Sequence, residues 1–302
     1  MIRYALAAGA LKAFSLNGAT RSLYRRVGNA IGGPRRAANL DLAVYLARGN
    51  LLVELCHKYS AAQDGQQLLE IGTGWMHWFA LYLRLHIDAG IVLMDVWDNR
   101  QFDALRAAFT KLAGTPQMAS APERVRENLQ TILSARSFPE LYARLGLRYV
   151  VQPDGSLAMC EAASRDSVFS LHVLEHVPRA SVERLSADMY RVLKPGAFAI
   201  HQIGIDDHLA HYDPSCSHKQ YLTYSDRTWK LFFENHVQYI NRLQMSDWLR
   251  IFAAAGFVVR ETLTESVDVS KLRIAPRYRG YSDADLGCTI LTVVLQKQVI
   301  GA

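Results

Sequence analysis

The chain has 302 residues, of which 50% are apolar and 21% charged, and this length suits one elaborated globular domain better than two independent ones. No run approaches the roughly 18 apolar residues of a membrane span, so no spanning segment is predicted. The net charge is +6, but residues 1–40 contain seven Lys or Arg and no Asp or Glu, so the rest sums to 27 − 28 = −1. This distribution argues against a basic surface for nucleic acid over the whole protein.

The basic N-terminal segment has two interpretations. It caps the main domain as a solvated helix and loop, or it contacts an anionic membrane surface or a phosphate-bearing carrier. The start "RYALAAGAL" also resembles a short signal-peptide core or a transit segment, but Lys12 interrupts it and no convincing cleavage region follows. The arginines of this segment outside its first helix are Arg21, Arg25, Arg26, Arg35 and Arg36.

The four cysteines lie far apart and match neither a paired metal-ligand spacing nor a disulfide framework. We interpret them as reduced thiols. A cytoplasmic protein is therefore predicted, with peripheral contact at the membrane left open through residues 1–40.

In chain order, residues 1–62 are predicted as a basic helical extension whose longest helix covers residues 40–60. Residues 63–302 then alternate short apolar strands with helical stretches, which predicts an α/β fold. Insertions at 115–146 and 206–244 exceed a minimal doubly wound domain, and we expect such segments to form the acceptor side of the crevice. Strands are predicted at 67–72, 91–96, 147–151, 166–172 and 197–205, followed by an antiparallel pair at 257–267 and 288–296. Helices are predicted at 181–193 and from 245 to the residue before Gly256.

The stretch "LLEIGTGW" (68–75) is the most specific motif. An apolar strand is followed by Gly72 and Gly74 before a helix, which lets backbone approach a nucleotide-like ligand closely. The second strand ends at Asp95, where a carboxylate can accept hydrogen bonds from ribose hydroxyls. The dinucleotide pattern G-x-G-x-x-G is not met, because His77 stands at its third glycine. A nucleoside cofactor is predicted.

The segments "LLEIGTG", "VLMDVWD", "DSVFSLHVLEHVP" and "RVLKPGAFAIHQI" occur in this order, and they resemble the class I S-adenosylmethionine-dependent methyltransferases of the small-molecule and glycan branch. The resemblance covers residues 66–205, and 245–297 more loosely. It implies a Rossmann-like fold with a mostly parallel seven-stranded sheet, an antiparallel C-terminal strand, and S-adenosylmethionine as cofactor, released as S-adenosylhomocysteine.

The resemblance also implies site residues. Around the methionine and ribose part of the cofactor it places Glu70, Gly72, Thr73, Gly74 and Asp95. On the adenine side it places Trp97 and Asp154, and facing the methyl donor it places Ser170 and His172.

The letters His172-Val-Leu-Glu175-His176 spell the H-x-x-E-H motif of some zinc peptidases. That motif needs one helix, whereas His172 ends a predicted strand and Pro178 follows closely, so a zinc peptidase is not predicted. Ubiquinone-pathway O-methyltransferases resemble this segment, with an acidic residue at the position of His172, and use a divalent ion. Imidazole there removes an oxygen ligand that Mg²⁺ prefers, so no metal is predicted, and His172, Glu175 and His176 are the candidate ligands if one binds.

A second cluster of polar residues follows the fifth strand in "HQIGIDDHLAHYDPSCSH" (201–218). Methyl transfer to a hydroxyl benefits from a base, and a carboxylate can orient a histidine for that role. The predicted base is His208 or His211 with Asp206 or Asp207 as partner, and His172 competes for the role.

The sequence thus predicts an O-methyltransferase acting on a small molecule or glycan, with no nucleic-acid partner. Two alternatives stay open. One is an N-methyltransferase acting on a small amine, and the other is a non-catalytic protein that binds the cofactor as a scaffold.

Overall fold

The computed structural model describes residues 1–28 and 39–299, which form a seven-stranded sheet covered by helices. The sheet order is β3-β2-β1-β4-β5-β7-β6; β7 runs antiparallel to both of its neighbours, and the other adjacent pairs are parallel. The predicted fold class is confirmed. The strands are β1 (Gln67–Ile71), β2 (Gly90–Asp95), β3 (Leu147–Val151), β4 (Arg165–Leu171), β5 (Leu193–Gly204), β6 (Phe257–Ser266) and β7 (Cys288–Lys297).

Helices cover both faces of the sheet and extend the chain at its N-terminus. The two helices predicted from residue 181 and from residue 245 are present. The α-helices are α1 (Ile2–Phe14), α2 (Gly18–Val27), α3 (Leu42–Tyr59), α4 (Trp78–His86), α5 (Phe102–Ala113), α6 (Pro116–Ala119), α7 (Glu123–Ser134), α8 (Phe138–Leu145), α9 (Arg179–Val192), α10 (Asp226–Phe232), α11 (Met245–Ala254) and α12 (Asp283–Gly287). Short 3-10 helices cover Leu174–His176, His208–Tyr212, Gln220–Thr223 and Pro276–Tyr278.

The first difference from the sequence prediction lies at "KPG" (194–196), which was expected to separate α9 from β5. In the structure β5 already begins at Leu193, opposite Arg165, and its register against β4 then shifts before Ser167 pairs with Phe198. The irregularity accommodates Pro195 within a strand, because a bulge removes the need for its missing N–H.

Two apolar cores flank the sheet, and a third lies beneath the N-terminus. Helices α3, α4, α5, α7 and α8 pack on one face. Helices α9 and α11 pack on the other face, with the apolar stripe of α9 buried through Val182, Leu185, Met189 and Val192. The third core joins α1 to the segment 209–240 through Tyr4, Ala8 and Leu11.

This arrangement gives the two insertions different places. Residues 115–146 form α6 to α8 and join the core next to α4 and α5, which corrects the expectation that this insertion helps form the acceptor side. The insertion 206–244 lies over the carboxyl ends of the strands and is covered by α1. The division into residues 1–62 and 63–302 stays a prediction, and Arg35 and Arg36 lie outside the described residues. All four cysteines are buried and free of disulfides.

Candidate functional site

A cleft of about 730 Å³ opens where β1, β2 and β4 end. Its walls include Gly72 after β1, Asp95 at the end of β2, and His172 after β4. A second cavity of about 290 Å³ shares Gly72 and Asp95 and is lined by Asp154 and Gly155. Ligands of open α/β sheets bind outside the carboxyl ends of the strands, so these joined cavities are the candidate active site.

The glycine turn is built for close approach of a ligand. Gly72 adopts a φ of +71°, and a Cβ there would lie 2.5 Å from the side chain of Val173. Beside it, one carboxylate oxygen of Asp95 accepts the N–H of Gly74 at 3.1 Å and the other accepts the N–H of Val96 at 2.8 Å. Burial raises the pKa of Asp95, although those backbone donors oppose the effect. The glycine turn and Asp95, the predicted partner of the ribose hydroxyls, therefore form one hydrogen-bonded unit.

Glu70 and Thr73 support this turn from beneath. Glu70 is 2% exposed and does not line either cavity, and burial raises the pKa of its carboxyl to about 8. The hydroxyl of Thr73 lies 2.9 Å from Nδ1 of His77, away from the cleft. The Glu70 carboxylate is buried, and its Oε2 has no hydrogen-bond partner among the described residues, so its contact with the cofactor stays a prediction.

Ser170 was predicted to face the methyl donor, and the structure corrects this prediction. It is fully buried, lies outside the cleft walls, and its hydroxyl is 2.8 Å from Nδ1 of His201. Trp97 lines the larger cavity and Asp154 the smaller one, so the two predicted adenine-side residues stand in different parts of the cleft. The carboxylate of Asp154 accepts hydrogen bonds from Gln152 and Ser156 within its own turn.

His172 reaches the cleft from a backbone with φ of +55°. Its Nε2 lies 3.0 Å from Oε1 of Gln202, and its Nδ1 lies 3.5 Å from Oε1 of Glu175. Both carboxylate oxygens of Glu175 are buried without a hydrogen-bond partner among the described residues. Burial acts to raise the pKa of Glu175, but the nearby imidazoles of His172 and His176 outweigh it and hold the pKa below its usual value.

The histidines of the insertion surround Asp206 at the lip of the cleft. Nε2 of His211 lies 2.7 Å from Oδ2 of Asp206, and Nε2 of His208 lies 3.6 Å from the other oxygen. The hydrogen bond to Asp206 raises the pKa of His211, whereas burial lowers the pKa of His208 to about 4. Burial opposes ionisation of Asp206, but the bond from His211 and the nearby His208 keep its pKa below the usual value.

Asp207 was predicted as a possible carboxylate partner of the base, and the structure corrects this prediction. It is fully buried and accepts a hydrogen bond from the hydroxyl of Tyr4 at 2.7 Å. It also caps the 3-10 helix by accepting a hydrogen bond from the N–H of Leu209 at 3.0 Å. Burial raises its pKa to about 6. Asp207 therefore holds α1 against the insertion, and Asp206 is the carboxylate that faces the histidines.

Within residues 1–28 and 39–299, two groups of side chains could hold a metal ion, because the ligand atoms of each group lie within 4.8 Å of one another. Glu175 and His176 form one with His208, rather than with His172 as the sequence suggested, and Asp206 forms the other with His211 and His218. Each group offers one carboxylate and two imidazoles, a donor set that suits a transition metal better than Mg²⁺.

Sequence analysis missed the contribution of α2 to the cleft. Arg21, Tyr24 and Arg25 line it from one face of the helix, and Gly28 lines it just after the helix ends. The guanidinium of Arg25 lies 4.8 Å above the ring of Trp97. The spacing of three and four residues in this helix was the available signal, but nothing local indicated which surface the face would meet. The insertion adds wall residues that were likewise not singled out, namely Tyr212, His236 and Gln238.

Comparison with known proteins assigns the fold. A family model described as "Methyltransferase domain" matches residues 69–201, which contain the glycine turn, Asp95 and His172. Residues 69–201 are a class I methyltransferase domain. S-adenosylmethionine is its cofactor, and the joined cavities at Gly72 and Asp95 are where the domain would hold it.

The chain is also similar to solved structures, at low identity. A putative methyltransferase of Haloferax volcanii, in complex with the Trm112 activator, is 15% identical over 88% of this chain and 97% of that one, with a TM-score of 0.46. A Methanosarcina mazei methyltransferase is 16% identical over 80% and 96%, also at 0.46. A putative sarcosine dimethylglycine methyltransferase of Galdieria sulphuraria is 12% identical over 84% and 86%, at 0.49. No curated protein matches the chain.

None of the helices within residues 1–28 and 39–299 combines the length and the apolar character that crossing a bilayer requires.

Proposed function

We propose that the protein methylates an oxygen of a small molecule or glycan and that His211, oriented by Asp206, removes the hydroxyl proton. The acceptor oxygen attacks the methyl carbon, the carbon–sulfur bond breaks, and the sulfonium electron pair stays on S-adenosylhomocysteine. The proton of the acceptor hydroxyl passes to the imidazole. Binding both substrates in line supplies most of the acceleration, and proton removal adds to it.

The contact between His211 and Asp206 carries this proposal. A carboxylate 2.7 Å from Nε2 fixes the orientation of the ring and stabilises its protonated form, as in other histidine bases. Nδ1 of His211 is then left to accept a proton from a ligand in the cleft. His172 is less suited to this role, because its two ring nitrogens already face Gln202 and Glu175.

The cleft walls support a polar acceptor. The cleft of about 730 Å³ continues into the second cavity of about 290 Å³. The wall contributed by Tyr212, His236, Gln238 and Tyr239 offers hydrogen-bonding groups and aromatic surface. Such a mixture suits hydroxylated rings or sugars.

The first experiment incubates the full chain with methyl-labelled S-adenosylmethionine and matched panels of hydroxyl and amine acceptors. Label in a methyl ether supports the proposal, and label only in methylamines would assign N-methylation. Tight cofactor binding in calorimetry without transfer to either panel would favour the scaffold alternative. The double change His208→Ala/His211→Ala further distinguishes O-methylation from N-methylation, because methylation of an amine needs little help from a base.

A further inference from the structure

Helix α1 is apolar on both of its faces although it lies at the surface. Tyr4, Ala8 and Leu11 are buried against the insertion. On the opposite face, Ile2 and Leu6 are 79% and 69% exposed, and Leu16, in the turn just after the helix, is 76% exposed. An apolar helix face is normally buried, and this outer face lacks a partner among the described residues.

Neighbouring helices enlarge this uncovered surface. Helix α1 packs against α2 and α10, and both helices expose further large apolar side chains. Isolated exposed apolar residues are common, but a cluster on three adjoining helices is typical of an interaction site. The exposed members, here called the apolar surface, are Ile2, Leu6, Leu16, Leu23, Val27, Leu231 and Phe232.

The charge around the apolar surface is positive. Exposed basic residues near it stand on the same three helices, namely Arg3 on α1, Arg26 on α2, and Arg227 and Lys230 on α10. The exposed acid of these helices, Asp226, is paired with Arg242 and Arg277. Residues 1–40 contain no acidic residue at all. Apolar side chains bordered by Lys and Arg are the pattern of segments that lie in the headgroup region of anionic bilayers.

Other occupants fit this surface less well. Residues 29–38, which follow α2, contain only one large apolar side chain, Ile31, so they offer little to bury. A second copy of the same surface would bring like charges together, which opposes association. An anionic bilayer matches both the apolar and the basic character.

We propose that the apolar surface docks the protein onto an anionic lipid bilayer, with α1 lying in the headgroup region. Helix α2 then links the bilayer to the active site, because Arg21, Tyr24 and Arg25 line the cleft from another face of this helix. The docked protein presents the cleft mouth close to the headgroups, where an acceptor carried by a lipid would be within reach.

Vesicle co-sedimentation tests the docking directly. One set of vesicles contains phosphatidylglycerol and phosphatidylcholine in equal parts, and the other contains phosphatidylcholine alone. The full chain is expected to bind the anionic vesicles at least about tenfold more tightly, since each nearby Lys or Arg favours an anionic surface by roughly 1 kcal/mol. High salt is expected to weaken this binding through screening.

A matched pair of variants isolates the apolar contribution. Leu6→Asp should weaken binding to anionic vesicles about tenfold or more, because it removes a leucine that inserts and adds a repelled charge. Leu263→Asp alters a leucine that is 38% exposed on β6 and does not belong to the apolar surface, and it should leave binding unchanged. Arg3→Gln/Arg26→Gln should reduce the salt-sensitive part of the binding without touching the cleft.

Folding and cofactor binding are measured in parallel. Thermal melting and calorimetry with S-adenosylmethionine should match the wild type in every variant, since Leu6, Arg3 and Arg26 are exposed and outside the cleft. Equal vesicle binding by wild type and Leu6→Asp would overturn the proposal. The proposal would also be overturned if the wild type did not bind the vesicles and formed a dimer, seen by light scattering, that Leu6→Asp dissociates. Neither result bears on methyl transfer.

Discussion

Nε2 of His211 lies 2.7 Å from Oδ2 of Asp206 at the lip of a cleft whose floor is the Gly72 turn. The pair stands on the insertion after β5, whereas the predicted cofactor residues Gly72 and Asp95 stand just after β1 and at the end of β2. The proposed base therefore approaches the methyl donor from a different part of the chain than the one that binds the cofactor. This separation lets the two functions be changed independently.

Removing the base should reduce turnover without loss of cofactor binding. His211→Ala is expected to lower kcat about a hundredfold, the lower end of what general-base catalysis contributes. His218→Ala is the matched control, because this exposed imidazole lies farther from Asp206, at 3.9 Å. Steady-state kinetics with an acceptor from the hydroxyl panel checks both. Equal kcat in wild type and His211→Ala would reject His211 as the base.

The pH profile provides a second measure of the same pair. Asp206 raises the pKa of His211, and a base works only when unprotonated. The rate should therefore rise with pH through an apparent pKa above the ordinary histidine value of about 6.5. Asp206→Asn should move this midpoint to lower pH and reduce the plateau. An unmoved midpoint would show that another group controls the rate.

Cofactor binding should depend on Asp95 and on the absence of a side chain at Gly72. Asp95→Ala removes a predicted partner of the ribose hydroxyls and should weaken binding of S-adenosylmethionine at least about tenfold, since hydrogen bonds to charged groups contribute roughly 1.5–3 kcal/mol. Gly72→Val should abolish it, because the side chain would meet Val173 and φ is +71°. Calorimetry measures both, with Asp103→Asn on α5 as control. Unchanged affinity in both variants would reject the proposed cofactor site.

Acid should destabilise the protein through His77. Burial lowers the pKa of His77 to about 3, so between that value and about 6.5 the unfolded chain binds a proton that the folded chain does not. Stability should therefore fall as pH decreases through this window. His77→Asn keeps a residue that tolerates the left-handed backbone at φ of 51° and should flatten the slope of the unfolding free energy. The exposed His57→Asn is the control for replacing a histidine that is not buried.

The sheet and the cofactor turn were predictable because their signals are local. Seven short apolar stretches and the pattern around Gly72 lie within windows of about ten residues. The choice between Asp206 and Asp207 was not predictable, since adjacent residues point to different sides and only the packing of α1 decides that Asp207 meets Tyr4. The position of Arg25 in the cleft was not predictable for the same reason, because it depends on a long-range contact with Trp97.

Burial also explains why Ser170 was misassigned. Both faces of β4 are covered in a parallel sheet, so its sequence carries no alternation that shows which side chains face the cleft. Ser170 turns to His201 on β5, while His172, one step past the strand, reaches the cleft through a left-handed backbone. The polarity of a residue near a strand end indicated the site's location without indicating which side chains enter it.

Gly204 at the end of β5 connects these polar groups, and changing it should impair catalysis selectively. A Cβ there would lie 2.8 Å from Oε1 of Glu175, 3.2 Å from Nδ1 of His172 and 3.3 Å from Oδ1 of Asp206. Gly204→Ala would push these groups apart at a cost of about 1–3 kcal/mol, typical of overpacking. We expect kcat to fall about tenfold while calorimetry shows unchanged affinity for S-adenosylmethionine, because the Gly72 turn is untouched. Gly280→Ala, which meets nothing within 4 Å, is the matched control. Full activity in Gly204→Ala would show that the arrangement of Asp206 tolerates displacement and does not orient the base.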